Sequence, residues 1–126
     1  TYQNIHQNTR GVGENAELND RFGHAVLIAD VNGDGNLDLV VGTPGEKVRN
    51  AKKAGMIFFF PGESQRLQPA DETLVRVGGA TLPGTLQSNE QFGTSLSAFG
   101  TSLLVGAPGS KVNKKTNAGS IYLVPL

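Results

Sequence analysis

The stretch Asp30-Val31-Asn32-Gly33-Asp34-Gly35-Asn36-Leu37-Asp38 places an oxygen-bearing side chain at every second position. Gly33 and Gly35 allow the backbone to turn tightly through positive φ. Carboxylate and amide oxygens spaced in this way suit Ca²⁺, whereas Mg²⁺ demands stricter octahedral geometry. The alternative is a metal-free Asn-Gly turn, but closely spaced aspartates repel one another unless a cation neutralises them. The stretch therefore predicts a calcium site, and its candidate ligands are Asp30, Asn32, Asp34, Asn36 and Asp38.

The residues that follow this stretch decide between a helix and a strand. An EF-hand loop places an acidic ligand at its twelfth position, which here is Val41. The sequence continues with an apolar, β-branched run at 37–41, which is typical of a strand. We therefore expect a calcium loop inside a β-hairpin, closed by Asp38.

Composition limits the class of protein. The 126 residues include 11 basic and 11 acidic side chains, and this neutral balance does not favour binding to nucleic acid or anionic membranes. The chain has no cysteine, which excludes disulfides and thiolate zinc sites, and no apolar run approaches the roughly 20 residues of a membrane-spanning helix. Seventeen glycines and six prolines separate short β-rich runs, which predicts an all-β domain.

Two observations bear on the origin of the chain. It does not begin with Met and shows no signal peptide, so we expect a mature, excised or engineered segment. A calcium loop of this kind suits the calcium-rich space outside cells, so we expect an extracellular or cell-surface location.

The chain contains an internal repeat. The sequence FGHAV at 22–26 recurs as FGTSL at 92–96, GTPG at 42–45 recurs as GAPG at 106–109, and AGMIF at 54–58 recurs as AGSIY at 118–122. The first pair is separated by 70 positions and the other two by 64. The difference falls where the first copy carries its calcium loop, so only that copy is predicted to bind metal.

These paired motifs resemble FG-GAP repeats, which form the blades of the integrin α-subunit β-propeller. Similar blades occur in glycosylphosphatidylinositol-specific phospholipase D and in some fungal lectins. The resemblance implies that each repeat folds as a four-stranded antiparallel blade. It also implies side-chain ligand positions for Asp30, Asn32, Asp34 and Asp38, and a main-chain carbonyl ligand at Asn36.

The expected organisation is a single unit of two such blades. Blade one spans about 22–78, with strands near 22–29, 37–42, 55–60 and 73–78. Blade two spans about 92–126, with strands near 92–98, 102–106 and 119–124 and no fourth strand of its own. Residues 1–6 precede Phe22 at nearly the spacing at which 73–77 precedes Phe92. We therefore expect them to form a latch strand that completes the second blade, begun by the C-terminus of this or of another chain.

Two blades do not close a propeller, which generally uses about four to eight. The expected partner is therefore a further copy of the chain, in a ring that closes by rotation, or the missing blades of a longer parent chain. No catalytic Ser/His/Asp arrangement or nucleophile elbow occurs, so we expect no enzyme activity. The predicted role is a structural or interaction scaffold for a protein or glycan ligand. The alternatives are a carbohydrate-binding lectin with sites between blades, and an accessory propeller of a phospholipase D-like hydrolase.

The loops between the second and third strands of both copies are basic. In an up-and-down meander they lie at the opposite end of the blade from the calcium hairpin. They are either solvated loops or a rim that binds an acidic partner. The residues of this rim are Lys47, Arg49, Lys52, Lys53, Lys111, Lys114 and Lys115.

Overall fold

The computed structural model describes residues 2–64, 66–67 and 69–126. Its strands are β1 (Ala25–Ala29), β2 (Asp38–Thr43), β3 (Met56–Phe60), β4 (Gly62–Glu63), β5 (Arg66–Leu67), β6 (Thr73–Val75), β7 (Ser95–Phe99), β8 (Ser102–Ala107) and β9 (Ser120–Val124). The helical structure in these residues is a single 3-10 turn at Pro69–Asp71. Within the same ranges, no helix has the length and apolarity needed to cross a bilayer.

The strands form two open antiparallel sheets and a short ribbon. The first sheet has the order β1-β2-β3-β6 and the second has the order β7-β8-β9, while β4 pairs with β5. The sheets repeat one another in register, because Gly42 lies opposite Ile57 and Gly106 lies opposite Ile121. This confirms the all-β, blade-like fold. The first strand of each repeat was predicted to start at 22 and 92, but β1 and β7 begin three residues later, after the Phe-Gly turns, and β6 ends at Val75 rather than 78.

The main core lies between the two sheets. Side chains alternate between the faces of a strand, so the first sheet turns one apolar row, including Val40, Ile57 and Phe59, toward the second sheet. The second sheet contributes residues to the same core, including Leu103, Val105 and Val124. These residues are buried, and their removal from water provides the main force that holds the two sheets together.

The opposite, outer face of the first sheet is also covered. Phe58 and Phe60 stack with their ring centroids 6.4 Å apart, and Phe22 packs edge-on against Phe58 at 5.1 Å. Ile5 and Val12 of the N-terminal segment pack onto this cluster. Since both faces of the first sheet are covered, every residue of β3 is buried.

The N-terminal segment does not add a latch strand to the second sheet of its own chain. Residues 2–6 have no regular secondary structure, Thr1 lies outside the described residues, and the second sheet consists of three strands rather than four. The physical reason is geometric. The segment lies on the outer face of the first sheet, whereas the second sheet packs against the opposite face of that sheet.

Candidate metal centre

The predicted ligands lie on the loop that joins β1 to β2. Asp30 directly follows β1, and Asp38 is the first residue of β2. β1 and β2 pair antiparallel up to Ala29 and Asp38, so the chain must reverse over the residues between them. The structure thus places the candidate ligands in a hairpin loop, as the sequence predicts.

Asp30 organises the loop through its carboxylate. Oδ1 accepts hydrogen bonds from the N–H of Gly33 (2.7 Å) and Asp34 (3.2 Å), and Oδ2 accepts one from the N–H of Gly35 (2.9 Å). Gly33 and Gly35 have φ angles of 81° and 87°, which glycine adopts without steric cost. The two glycines let the chain wrap around this carboxylate.

Asn32, Asp34 and Asn36 form a second set of contacts. The Asn32 Oδ1 accepts the N–H of Asp34 at 3.0 Å, and the Asn32 Nδ2 donates to the Asp34 Oδ2 at 2.9 Å. The Asp34 Oδ1 accepts the N–H of Asn36 at 2.8 Å. The hydrogen bond from the Asn36 backbone, and then that from the Asn32 side chain, lower the pKa of Asp34 below its usual 3.8. Asp34 is therefore ionised at neutral pH.

Asp38 has a different environment, because it is completely buried. Its Oδ2 accepts the N–H of Val31 at 3.0 Å, and its Oδ1 accepts the N–H of Gly62 at 3.0 Å. Gly62 lies so close to the loop that a Cβ there would be 1.9 Å from the carbonyl oxygen of Leu37. Asp38 thus joins the start of the loop to the start of β4.

The donor set fits a hard cation. The loop presents carboxylate, amide and main-chain oxygens, with no imidazole or thiol, and this composition suits Ca²⁺. A carboxylate oxygen that accepts one N–H retains a second lone pair for a metal. The hydrogen bonds around Asp30 also hold the turn in place.

A tighter acidic cluster lies elsewhere and was not predicted. Among the described residues, the one group of three acidic side chains whose carboxylate oxygens all lie within 4.8 Å of one another is Glu17, Asp20 and Glu46. Asp20 and Glu46 are buried. The Asp20 Oδ2 accepts the N–H of Glu17 at 2.5 Å, and the Glu46 Oε2 accepts the Nε2 of Gln7 at 2.7 Å. Burial, and then the charge of Asp20, raise the pKa of Glu46 to about 7.

The second repeat has different chemistry at the same place. Glu90 corresponds to Asp20, and Ser110 corresponds to Glu46, so only one carboxylate remains. The Glu90 Oε1 accepts hydrogen bonds from the Ser110 hydroxyl, at 3.0 Å, and from the Tyr122 hydroxyl. Burial, followed by the hydrogen bond to Glu90, raises the pKa of Tyr122 to about 12. Asp20 thus lies beside a second buried carboxylate in the first repeat, whereas its counterpart Glu90 accepts hydrogen bonds from two hydroxyl groups in the second repeat.

The internal repeat contains a sequence pattern that could have indicated the positions of Asp20 and Glu90. Asp20 and Glu90 both lie two residues before the Phe-Gly motif, and their main-chain carbonyls accept the N–H of Gly45 and Gly109, both at 3.0 Å. A recurrent acid at a fixed distance from a recurrent motif indicates a structural position. The motifs by which the repeat was recognised consist of apolar residues and glycine, so they do not include these acids.

The basic rim residues are all exposed at the end of the sheets opposite the hairpin loop. Lys111 and Lys114 line a polar cleft of about 900 Å³, together with residues of the linker at 85–91. The linker contacts this loop through Gln87, whose Oε1 accepts the N–H of Lys111 at 2.7 Å. The structure thus gathers Lys111 and Lys114 around this cleft, while Lys53 lines a separate, smaller pocket with Asn19 and Arg21.

Comparison with known protein families gives two matches. Models described as FG-GAP repeat match residues 22–60 and 84–124. The first match lies within the predicted first blade, and the second begins eight residues before Phe92 and covers most of the predicted second blade. They confirm the resemblance on which the fold was predicted.

Curated relatives of two kinds align with most of the chain. Phosphatidylinositol-glycan-specific phospholipase D of Rattus norvegicus is 32% identical over 109 residues, which is 82% of this chain and 13% of that protein. Integrin alpha-IIb of Homo sapiens is 32% identical over 103 residues, or 79% of this chain and 9% of that protein. Integrin alpha-PS3 of Drosophila melanogaster is 34% identical over 70 residues. The chain therefore spans only a small part of the length of these relatives.

Proposed function

The chain belongs to the FG-GAP repeat family, and we propose that it is a non-catalytic β-propeller module whose first hairpin loop binds Ca²⁺. In this proposal the module acts outside the cell as a structural or interaction scaffold. Its partners are further blades, from another copy or from a longer parent chain, and a protein or glycan ligand.

One observation carries the calcium proposal. The Asp30 carboxylate accepts three N–H groups of its own loop, so the loop is already curled around the first of its regularly spaced oxygens. Asp30, Asn32, Asp34 and Asp38 would hold the ion through their side chains, and Asn36 through its carbonyl. The ion would neutralise the aspartates, and its binding energy would add to the stability of the folded state.

Thermal unfolding with Ca²⁺ and with chelator tests this proposal. Ca²⁺ should raise the melting temperature of the wild type, and the increase should be lost in Asp34→Ala, which removes a ligand from an exposed position. Asn36→Ala is the matched control in the same loop, because Asn36 is proposed to bind through its main chain. The proposal fails if the melting temperature of the wild type is the same in Ca²⁺ and in chelator.

The polar cleft supports a second candidate function, the binding of a carbohydrate. The cleft is lined by amide, hydroxyl and ammonium groups, including Gln87, Asn89 and Lys111, and such groups can hydrogen-bond to sugar hydroxyls or to a sulfate substituent. A glycan array tests this function, since a lectin must show saturable sugar binding that Lys111→Ala weakens. A role as the accessory propeller of a hydrolase is the remaining alternative, and its test is the sequence of the parent chain.

A further inference from the structure

Asn32 is the one asparagine of the chain that precedes a glycine. The sequence contains ten asparagines, and each of the other nine is followed by a residue with a side chain. Asparagine is chemically labile, since the main-chain nitrogen of the next residue can attack the side-chain amide and expel ammonia. A Cβ atom on that residue obstructs the attack, and glycine has none. Deamidation of this chain is therefore expected first at position 32, inside the hairpin loop.

The step between Asn32 and Gly33 is accessible to water. Asn32 is half-buried, and residues 33–37 are exposed. Apart from its neighbours in sequence, a Cβ at Gly33 would meet nothing in the described chain closer than the Thr101 side chain, at 3.6 Å. Exposed loops open locally at a small cost in free energy. The surroundings therefore leave the reacting groups free to move, and any restraint must come from within the loop itself.

The Asp30 carboxylate restrains the attacking nitrogen. Its Oδ1 accepts the N–H of Gly33 at 2.7 Å, and a hydrogen bond to an ionised acceptor is stronger than one to a neutral acceptor. The nitrogen attacks only after it loses this proton, and a nearby negative charge disfavours the anion that would form. The bond also fixes the direction in which the nitrogen points. In the closed loop, Asp30 therefore protects the step between Asn32 and Gly33.

The Asn32 amide is oriented by Asp34. The Asn32 Oδ1 accepts the N–H of Asp34 at 3.0 Å, and negative charge develops on this oxygen when its carbon is attacked. A donor in that position favours the reaction. The Asn32 Nδ2, which leaves as ammonia, donates to the Asp34 Oδ2 at 2.9 Å. The amide is thus held in place and polarised, and release of the Gly33 nitrogen from Asp30 is the step that remains.

We propose that Asn32 deamidates when the hydrogen bond between Asp30 and Gly33 opens, and that the isoaspartate product no longer binds a cation. The first part of this inference rests on the geometry of the loop alone. The second part rests on the proposed calcium binding, because it concerns the same loop.

Water is the only co-reactant in the reaction. The Gly33 nitrogen bonds to the Asn32 Cγ, the bond from Cγ to Nδ2 breaks, and ammonia leaves with the proton that the nitrogen gave up. The product is a five-membered succinimide ring. Water opens the ring at Cγ to give aspartate, or at the main-chain carbonyl carbon to give isoaspartate, in which the main chain runs through Cβ and Cγ.

The two products differ in what they do to the loop. Aspartate keeps the main chain in place and puts an anion beside the Asp34 Oδ2, where the Asn32 Nδ2 now lies at 2.9 Å. The two charges repel each other without a cation, but the added charge strengthens a calcium site. Isoaspartate lengthens the main chain before Gly33, so the N–H groups of Gly33 and Gly35 no longer converge on Asp30. The loop then loses the turn that arranges its oxygens.

Peptide mapping by mass spectrometry, with enzymatic methylation to count isoaspartate, tests the site and its gate. During incubation of the folded wild type in chelator, Asn32 should deamidate well ahead of Asn36, an exposed asparagine of the same loop that precedes Leu37. Asp30→Ala should accelerate the reaction at Asn32 by roughly tenfold, the lower end of what a charge-assisted hydrogen bond is worth. Glu63→Ala, at an exposed acid outside the loop, is the matched control and should leave the rate unchanged.

Denatured protein keeps this test independent of folding. In urea, the wild type and Asp30→Ala should deamidate at the same rate, because the gate is absent in both. If Asp30→Ala does not fold, Asp30→Asn, which keeps an uncharged acceptor, should react at a rate between those of the folded and the denatured wild type. The gate is refuted if the folded variant reacts no faster than the wild type, and the site is refuted if Asn36 keeps pace with Asn32.

Incubation in Ca²⁺ separates this inference from the proposed function. An ion that binds only the closed loop should slow the reaction in proportion to its concentration once that concentration exceeds Kd. The purified isoaspartate form should show no rise in melting temperature in Ca²⁺, whereas Asn32→Asp should show at least the rise of the wild type. Equal rates in Ca²⁺ and in chelator, with a faster reaction in Asp30→Ala, would refute the proposed calcium binding and leave the deamidation site standing. An isoaspartate form that Ca²⁺ stabilises as well as the wild type would overturn the second part of the inference.

Discussion

Replacing Asp38 by alanine should destabilise the protein even when no calcium is present. Asp38 is completely buried, and its two carboxylate oxygens accept the buried N–H groups of Val31 and Gly62. A buried N–H left without an acceptor costs about 1–3 kcal/mol, so the variant should lose roughly 2–6 kcal/mol of unfolding free energy. For a domain of this size, 1 kcal/mol corresponds to about 4 °C, and the melting temperature should fall by roughly 8–24 °C.

The assay is thermal unfolding followed by circular dichroism in the presence of a calcium chelator. Asp34→Ala is the matched control, because Asp34 is an exposed aspartate of the same loop and its hydrogen bonds are at the surface. In chelator, Asp34→Ala should melt close to the wild type, since surface substitutions usually change stability by less than about 0.5 kcal/mol. If Asp38→Ala also melts with the wild type in chelator, the structural role of this carboxylate is refuted.

Two further predictions concern the unpredicted acidic cluster and the contact beside it. The pKa of Glu46 is raised to about 7 in the folded protein, so the folded state binds more protons than the unfolded state between about pH 4.5 and 7, and stability falls as the pH rises through that window. The full pKa shift corresponds to about 3 kcal/mol of unfolding free energy, which solvent screening reduces to roughly 1–2 kcal/mol. Urea unfolding of Glu46→Gln should therefore show roughly 1–2 kcal/mol more stability than the wild type at pH 8, and a weaker dependence of stability on pH. Parallel plots of stability against pH for the two proteins would contradict the assignment. Gly45→Ala should destabilise by roughly 2–4 kcal/mol, because its Cβ would lie 1.7 Å from the carbonyl oxygen of Asn19. Gly100→Ala, where a Cβ meets nothing within 4 Å, should cost only about 1–2 kcal/mol from its positive φ, and equal losses in urea unfolding would argue against the contact.

Local patterns were sufficient to predict the two sheets from the sequence. Short apolar, β-branched runs between glycines and prolines indicate which residues form strands, and the glycine-rich stretch at 30–38 indicates where the first hairpin turns. The repeat then predicts that the second sheet copies the first, as the matching registers at Gly42 and Gly106 show. These features depend on residues close together in the chain, which is why one sequence was enough.

Features that depend on distant residues were not predictable in the same way. Asp20 and Glu46 are 26 positions apart, and their burial beside Gln7 follows from the path of the N-terminal segment, which no local pattern specifies. The state of residues 2–6 was also beyond local reasoning. They have the spacing of a strand, but a strand forms only where a sheet edge lies within hydrogen-bonding reach.

Calorimetric titration of the protein with Ca²⁺ tests the central claim most directly. The account predicts saturable binding of one ion per chain to the loop at 30–38, lost in Asp34→Ala and retained in Asn36→Ala. Absence of binding heat at millimolar Ca²⁺, or wild-type binding by Asp34→Ala, would contradict it.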